Sequence, residues 1–254
     1  MRKLLMAPVA ALAAFAGSLA VAQDGGEAAV SRSYDLTEFD KVSVIGPHRV
    51  VISVGPAYAV RAEGPQKTFA DTDVEVEDGQ LKIHPVEDER WERRWRDSGW
   101  REYWDDYQPA TFYVTLPAIA AASLIGGGGM TIDRVEGGEF SASVAGSGDL
   151  DVAALRVEEA RFSIAGSGDL LARGSARRSH VSIAGSGNLR AREVTSQESS
   201  ISIAGSGNVE LTVEDDARVS IVGSGDVDIA GSARCEVSRM GGGRVRCRGV
   251  AVAG

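Results

Sequence analysis

Between Gly126 and Gly241 the chain returns seven times to a short glycine-rich step followed by an apolar-x-apolar strand. The five clearest copies are SVAGSGDLDV, SIAGSGDLLA, SIAGSGNLRA, SIAGSGNVEL and SIVGSGDVDI, whose first glycines are Gly146, Gly166, Gly185, Gly205 and Gly223, spaced by 20, 19, 20 and 18 residues. Degenerate copies stand at either end, SLIGGGGMTI at Gly126 and SRMGGGRVRC at Gly241. A unit this short with period-two alternation cannot bury its apolar face alone and must stack on its neighbours, which predicts a β-solenoid.

The register of the repeat identifies the core. Four residues after each first glycine stand Met130, Leu150, Leu170, Leu189, Val209, Val227 and Val245; six after stand Ile132, Val152, Ala172, Ala191, Leu211, Ile229 and Cys247. Two before stand Leu124, Val144, Ile164, Ile183, Ile203, Ile221 and Arg239, and four before stand Ala122, Ala142, Phe162, Val181, Ile201, Val219 and Val237. Side chains alternate faces along a strand, so two strands flank each corner and point these columns inward. The variable stretch between copies supplies the third side and absorbs the drift in repeat length. Rungs stacked at ~4.8 Å predict about seven rungs and a rod of roughly 34 Å.

Gly-Ser-Gly suits a sharp corner, where positive φ or close backbone approach is needed. The residue after it is Asp149, Asp169, Asn188, Asn208 or Asp226, side chains that cap turns. Calcium binding of the G-G-x-G-x-D type is not expected, because the unit is twice too long and the matching position is Leu or Val. Stacked Asp149 and Asp169 repel by only about 0.9 kcal/mol in water, which needs no metal.

Residues 1–22 read as a secretory signal peptide: Arg2 and Lys3, an apolar stretch, then Ala20-Val21-Ala22 before Gln23. A flexible segment over 23–33 and a single domain over 34–254 follow. No later stretch supplies the about 18 apolar residues of a membrane helix, so the mature chain is expected to be exported to the periplasm or cell surface. The formal charge of −9 argues against nonspecific nucleic-acid binding, which needs a positive field. Cys235 and Cys247 lie six residues before and six after Gly241. Two unrelated small core residues would satisfy composition, but both fall on the inward parity of the last rung, which predicts a buried disulfide across it. Arg239 interrupts an apolar column of that rung, as a terminal coil would.

Upstream, FDKVSVIGPHRVVISVG resembles the later rungs with Gly46 at the corner, and YAVRAEG, VEVEDGQLKIHP and ATFYVTLP are further strand candidates. They either begin the solenoid or cap it, since an open β-edge invites aggregation. An insertion over 88–108 holds every Trp of the chain (Trp91, Trp95, Trp100 and Trp104), with Tyr103 and Tyr107 among dense Arg and acid. Two readings fit: a flap packed on the solenoid, or a recognition segment whose aromatic faces stack on sugar rings, with membrane-interface or protein contact as variants.

No catalytic site is expected. The serines of AGSG recur as structural residues do, His48, His84 and His180 are scattered, and no phosphate loop or cofactor motif stands in the chain. No metal ligand set emerges and no cofactor is expected.

The recurrent S-[IV]-A-G-S-G-[DN]-[LV] steps, with FDKVSVIGPHRVVISVG, DGQLKI and FYVTLP, resemble the head GIN domain, a bacterial autotransporter-adhesin head family of unknown function. The resemblance covers most of the mature chain. It implies a right-handed, single-stranded parallel β-helix in the cell envelope and carries over no catalytic residue. After Cys247 only RGVAVAG remains, which is too short for a barrel-forming translocator. The expected role is a noncatalytic adhesin or surface module whose partner is a cell-envelope glycan, peptidoglycan or a surface protein. The alternatives are a lyase or hydrolase of acidic polysaccharide using Asp149 and Asp169 with an Arg, and a purely structural assembly module.

Overall fold

The computed structural model describes residues 29–86 and 108–253. Eighteen strands form one sheet, wound into a parallel β-solenoid of about six turns. That is slightly fewer than the seven rungs expected. The solenoid proper comprises β8 (Ala121–Gly126), β9 (Gly129–Ile132), β10 (Val135–Gly146), β11 (Asp149–Gly166), β12 (Asp169–Gly185), β13 (Asn188–Gly205), β14 (Asn208–Gly223), β15 (Val227–Ala230), β16 (Arg234–Met240), β17 (Val245–Cys247) and β18 (Val250–Ala253).

Each turn has a wall before the corner, a wall after it and a third wall closing the ring. Stacking is in register at the corners, where Gly146 lies on Gly166, Gly166 on Gly185 and Gly185 on Gly205. Register shifts fall away from the corners, between Val152 and Leu155, Leu171 and Arg173, and Ala191 and Thr195. Repeats of 18 to 20 residues are therefore reconciled by bulges at and beyond the end of the wall after the corner, and the inward residues beside them, such as Ala172 and Ala191, stay buried. Leu150, Val152, Ile164, Leu170, Ile183, Leu189, Ile203 and Leu211 are all buried in one continuous core.

Stacking also explains the glycines. Gly185 has φ +127°, and a Cβ there would sit 2.3 Å from the carbonyl oxygen of Gly166 one rung below. At Gly207 a Cβ would lie 2.3 Å from the Gly187 oxygen and 2.7 Å from Ile183 Cγ2. Those carbonyls are hydrogen-bond acceptors: the Gly166 oxygen takes the N–H groups of Ser186 at 2.8 Å and Gly187 at 3.0 Å, and the Gly146 oxygen takes those of Ser167 and Gly168. Each corner thus satisfies its turn amides on the corner beneath it.

The region before Gly126 both begins and caps the solenoid. Its strands are β1 (Ala29–Tyr34), β2 (Lys41–Ile45), β3 (Arg49–Val54), β4 (Ala59–Pro65), β5 (Thr72–Glu77), β6 (Gln80–Pro85) and β7 (Thr111–Leu116), with the short helix α1 (Gln66–Asp71). β2 and β3 flank Gly46 (φ +125°) and pair in parallel with β8 and β9, so this corner stacks directly beneath Gly126. Below it, β6 pairs with β2 and β7 with β3. Antiparallel strands then finish the end: β5 forms a hairpin with β6 across Asp78-Gly79, and β4 pairs with β7. The segment expected to be flexible over 23–33 joins the sheet from Ala29, where β1 pairs with β4; a free sheet edge offers backbone partners to a polar strand with no core of its own.

At the other end Cys235 and Cys247 are joined, with an S–S distance of 1.99 Å and a Cα–Cα distance of 6.5 Å, linking β16 to β17. Cys235 is fully buried, while Cys247 is half-buried because no rung covers it. Arg239 turns outward and donates to the Gly243 oxygen at 2.7 Å.

Gly185→Ala and Gly207→Ala are each expected to lower stability by about 3 kcal/mol, from backbone strain and overpacking against a carbonyl. Gly138→Ala, where a Cβ meets nothing within 4 Å, is expected to change it by less than about 0.5 kcal/mol. Urea denaturation followed by circular dichroism checks the contrast.

Candidate functional site: a polar furrow on the wall after the corner

The two exposed walls differ in chemistry. Outward positions three before each corner glycine are Ser43, Ser123, Ser143, Ser163, Ser182, Ser202, Ser220 and Ser238, so the wall before the corner is smooth there and uncharged. The wall after it carries charges and amides at rung spacing, starting with the residue that follows each Gly-Ser-Gly.

These side chains form a ladder along the axis. Asp149 Oδ1 accepts the Asp169 backbone N–H at 3.2 Å, and Asp169 Oδ1 accepts Asn188 Nδ2 at 2.8 Å. Asn188 Oδ1 accepts Asn208 Nδ2 at 2.8 Å, and Asn208 Oδ1 accepts the Asp226 N–H at 3.1 Å. A carboxylate only accepts, so Asn188 must turn its amide nitrogen to Asp169, which leaves its oxygen for Asn208. Asp226 ends the ladder on Arg244: its Oδ1 takes the Arg244 N–H at 2.9 Å, which, ahead of the guanidinium charge, holds its carboxyl below the usual range.

Farther from the corner, arginines neutralise the acids between rungs. Arg190 pairs with Asp169 at 2.8 Å, Arg173 with Asp151 at 3.0 Å, and Arg192 with both Asp228 at 2.8 Å and Glu210 at 3.2 Å. These groups are partly exposed, so each pair contributes at most about 1 kcal/mol. Their larger effect is a wall of alternating donors and acceptors.

Two depressions run along this wall. One of about 480 Å³ is lined by Asn188, Arg190, Asn208, Glu210, Asp228 and Arg246. The other, of about 510 Å³, is lined by Arg49, Thr131, Asp149, Asp151 and Leu171, and by Pro109 to Thr111 at its foot. Arg190 lines both, so the two adjoin along the wall, and together they are called the furrow.

Trp91, Trp95, Trp100, Tyr103, Trp104 and Tyr107 lie outside the described residues. The chain leaves for them at Val86, whose N–H donates to the Asp71 oxygen at 3.0 Å, and returns at Gln108, whose oxygen accepts from Thr68 Oγ1 at 2.9 Å. β6 and β7, the strands on either side of this segment, pair with β2 and β3 in the rung below Gly46. Asp149 and Asp169 are brought together as ladder neighbours. The arginine columns were missed in the sequence, although Arg190, Glu210, Asp228 and Arg246 recur five residues after each corner glycine and could be read there.

His48 belongs to the corner that begins at Gly46. It takes the position held by the third corner residue, Gly128 or Gly148, in later rungs. The ring is fully buried, edge-on to Phe112 at 5.2 Å. Nδ1 accepts the Ala110 N–H at 3.2 Å, and Nε2 lies 3.5 Å from Thr72 Oγ1. Among the described residues no three His, Cys, Asp or Glu side chains gather as a metal site requires, and no helix is long and apolar enough to cross a membrane.

Burial pushes the His48 pKa from 6.5 down to about 4. The unfolded chain therefore takes the proton first. Stability from neutral His48 is present above pH 6.5 and is lost as pH falls toward 4, by up to about 3 kcal/mol. His48→Gln is expected to flatten this part of the profile, measured as urea midpoints of both proteins between pH 7 and 4.

No curated protein sequence matches the chain significantly. Solved structures do. A "putative adhesin" from Bacteroides fragilis superposes with a TM-score of 0.65 at 17% identity, covering 90% of this chain and 97% of that one. A "putative lipid binding protein" from Parabacteroides distasonis gives 0.64 at 19%, covering 86% and 97%. A "putative adhesin" from Parabacteroides merdae gives 0.64 at 15%, covering 89% and 97%. These identities speak to the fold alone. The family model described as "Putative auto-transporter adhesin, head GIN domain" matches residues 38–233, from just before β2 into the turn between Gly223 and Gly241, and the chain belongs to that family.

Proposed function

We propose that this protein is an exported, noncatalytic envelope module that binds an extended surface glycan along the furrow, with Trp91, Trp95, Trp100, Tyr103, Trp104 and Tyr107 as aromatic contacts at its foot. The observation that carries the reading is the furrow itself. It runs parallel to the rod axis, repeats its donors and acceptors once per rung, and is lined at one end by Pro109 to Thr111, where the aromatic segment rejoins the fold. A linear polymer with hydroxyls on both edges suits such a wall. An acyl chain suits the depression over Asn188, Asn208 and Asp228 poorly, because the outward side chains named there are polar or charged. Membership of an adhesin-head family agrees with a surface-binding role, and the signal-peptide pattern of residues 1–22 agrees with export.

All four Trp lie between residues 91 and 104, so intrinsic fluorescence reports on that segment alone. Titration with purified envelope polysaccharides is expected to shift the emission and to release no new reducing ends. Trp91→Ala, Trp104→Ala and Arg190→Ala are each expected to weaken binding about tenfold. Full binding in both Trp variants removes the aromatic segment from the site, and full binding in Arg190→Ala removes the furrow.

A further inference from the structure

The two ends of the rod carry opposite charge. At the start, residues 71–78 hold Asp71, Asp73, Glu75, Glu77 and Asp78 with no Lys or Arg among them. Asp73, Glu75 and Glu77 are exposed on β5, the outermost strand of the wall before the corner. At the finish, residues 234–248 hold Arg234, Arg239, Arg244, Arg246 and Arg248 against one acid, Glu236. Arg246 and Arg248 are exposed and make no ion pair among the described residues. In a chain of net charge −9 this tip thus carries a local basic excess.

Both tips are also unfinished. Among the described residues β5 pairs only with β6 and β1 only with β4, which leaves one edge on each wall without a described partner at the start. Among them, too, β18 pairs only with β16 and β17 only with β15, which leaves the same two walls without a described partner at the finish. Val74 and Val76 at the acidic tip, and Val237, Val245 and Cys247 at the basic tip, are only half-covered. Each tip therefore presents two backbone edges without a described partner, a partly exposed apolar centre and a charged rim.

We propose that these tips fit each other and that a second copy of this chain docks head to tail, the basic tip of one on the acidic tip of the next. Stacking continues both walls across the junction. β18 meets β5 antiparallel, since β5 alone on its wall runs against its neighbours. β17 meets β1 in parallel, since β1 and β4 are each reversed relative to the strand before. The alternative of like tip on like tip sets Arg against Arg or acid against acid, and like charges directly opposite are destabilising. A head-to-tail contact is heterologous and does not close on itself, so it yields open chains rather than a fixed dimer. This assembly does not depend on the glycan reading.

Sedimentation velocity of the mature protein tests it. At ionic strength near 0.01 M, where charges act over about 30 Å, the sedimentation coefficient is expected to rise with protein concentration. At about 1 M salt the rise is expected to diminish strongly. The variants Asp73→Lys/Glu75→Lys and Arg246→Glu/Arg248→Glu each remove most of the charge of one tip, and each is expected to associate at least about tenfold more weakly than wild type. Mixed in equal amounts they are expected to recover association, because the unaltered basic tip of the first meets the unaltered acidic tip of the second. Circular dichroism melts confirm that each variant is folded, and Glu75→Gln and Arg248→Gln serve if a reversal disturbs the fold. A protein that stays monomeric at all concentrations in low salt overturns the proposal, and so does association that neither variant weakens or the mixture fails to restore.

Discussion

A carbonyl oxygen sitting over a glycine, repeated corner after corner, is the contact on which the solenoid depends. At Gly146, Gly166, Gly185, Gly205 and Gly223 the residue must take positive φ, and the oxygen of the corner below lies where a Cβ would go. Below the first four of these corners the same oxygen accepts two N–H groups from the turn above it, and below Gly223 it accepts that of Ser224. One feature therefore sets the spacing of rungs, satisfies the turn backbone and excludes every side chain. Inward columns of Leu, Ile and Val add burial, but they stack because the corners are already in register. Bulges collect away from the corners for the same reason: only there is the ring free to gain or lose a residue.

Much of this was legible because glycine, the apolar columns and the Asx position each recur at a fixed offset. The offset from each corner places Leu150 inward and Asp149 outward with no further information. Legibility failed where recurrence failed. Gly46 could be matched to the corners, but that its rung lies directly under Gly126 could not be read, since residues 55–120 intervene. His48 is the clearest case. In sequence it was a scattered histidine. In the fold it takes the third place of the Gly46 corner, buried edge-on to Phe112, and burial keeps it neutral. The arginine columns escaped notice because charged outward positions vary from rung to rung, and their pairing depends on which rungs are adjacent.

The charged features divide into two kinds with different physical consequences. Along the furrow, acids and bases alternate and largely cancel, which leaves oriented hydrogen-bonding groups with little net field. Such a surface suits a neutral or weakly charged polymer held by many modest contacts. At the tips the charges are segregated instead, where the backbone edges also lack a described partner. Segregated charge acts over longer distances and selects orientation. Side binding and end-to-end association are therefore compatible on one rod, the first using its length and the second its ends.

Native-state hydrogen exchange at the corners tests the stacking claim most directly. The amides of Ser167, Gly168, Ser186, Gly187, Ser206 and Gly207 each donate to a corner oxygen one rung below. The account predicts that they exchange as slowly as the amides of the flanking strands, opening only with the solenoid itself. Exchange at the rate of an open surface turn, with the strands still protected, would contradict it.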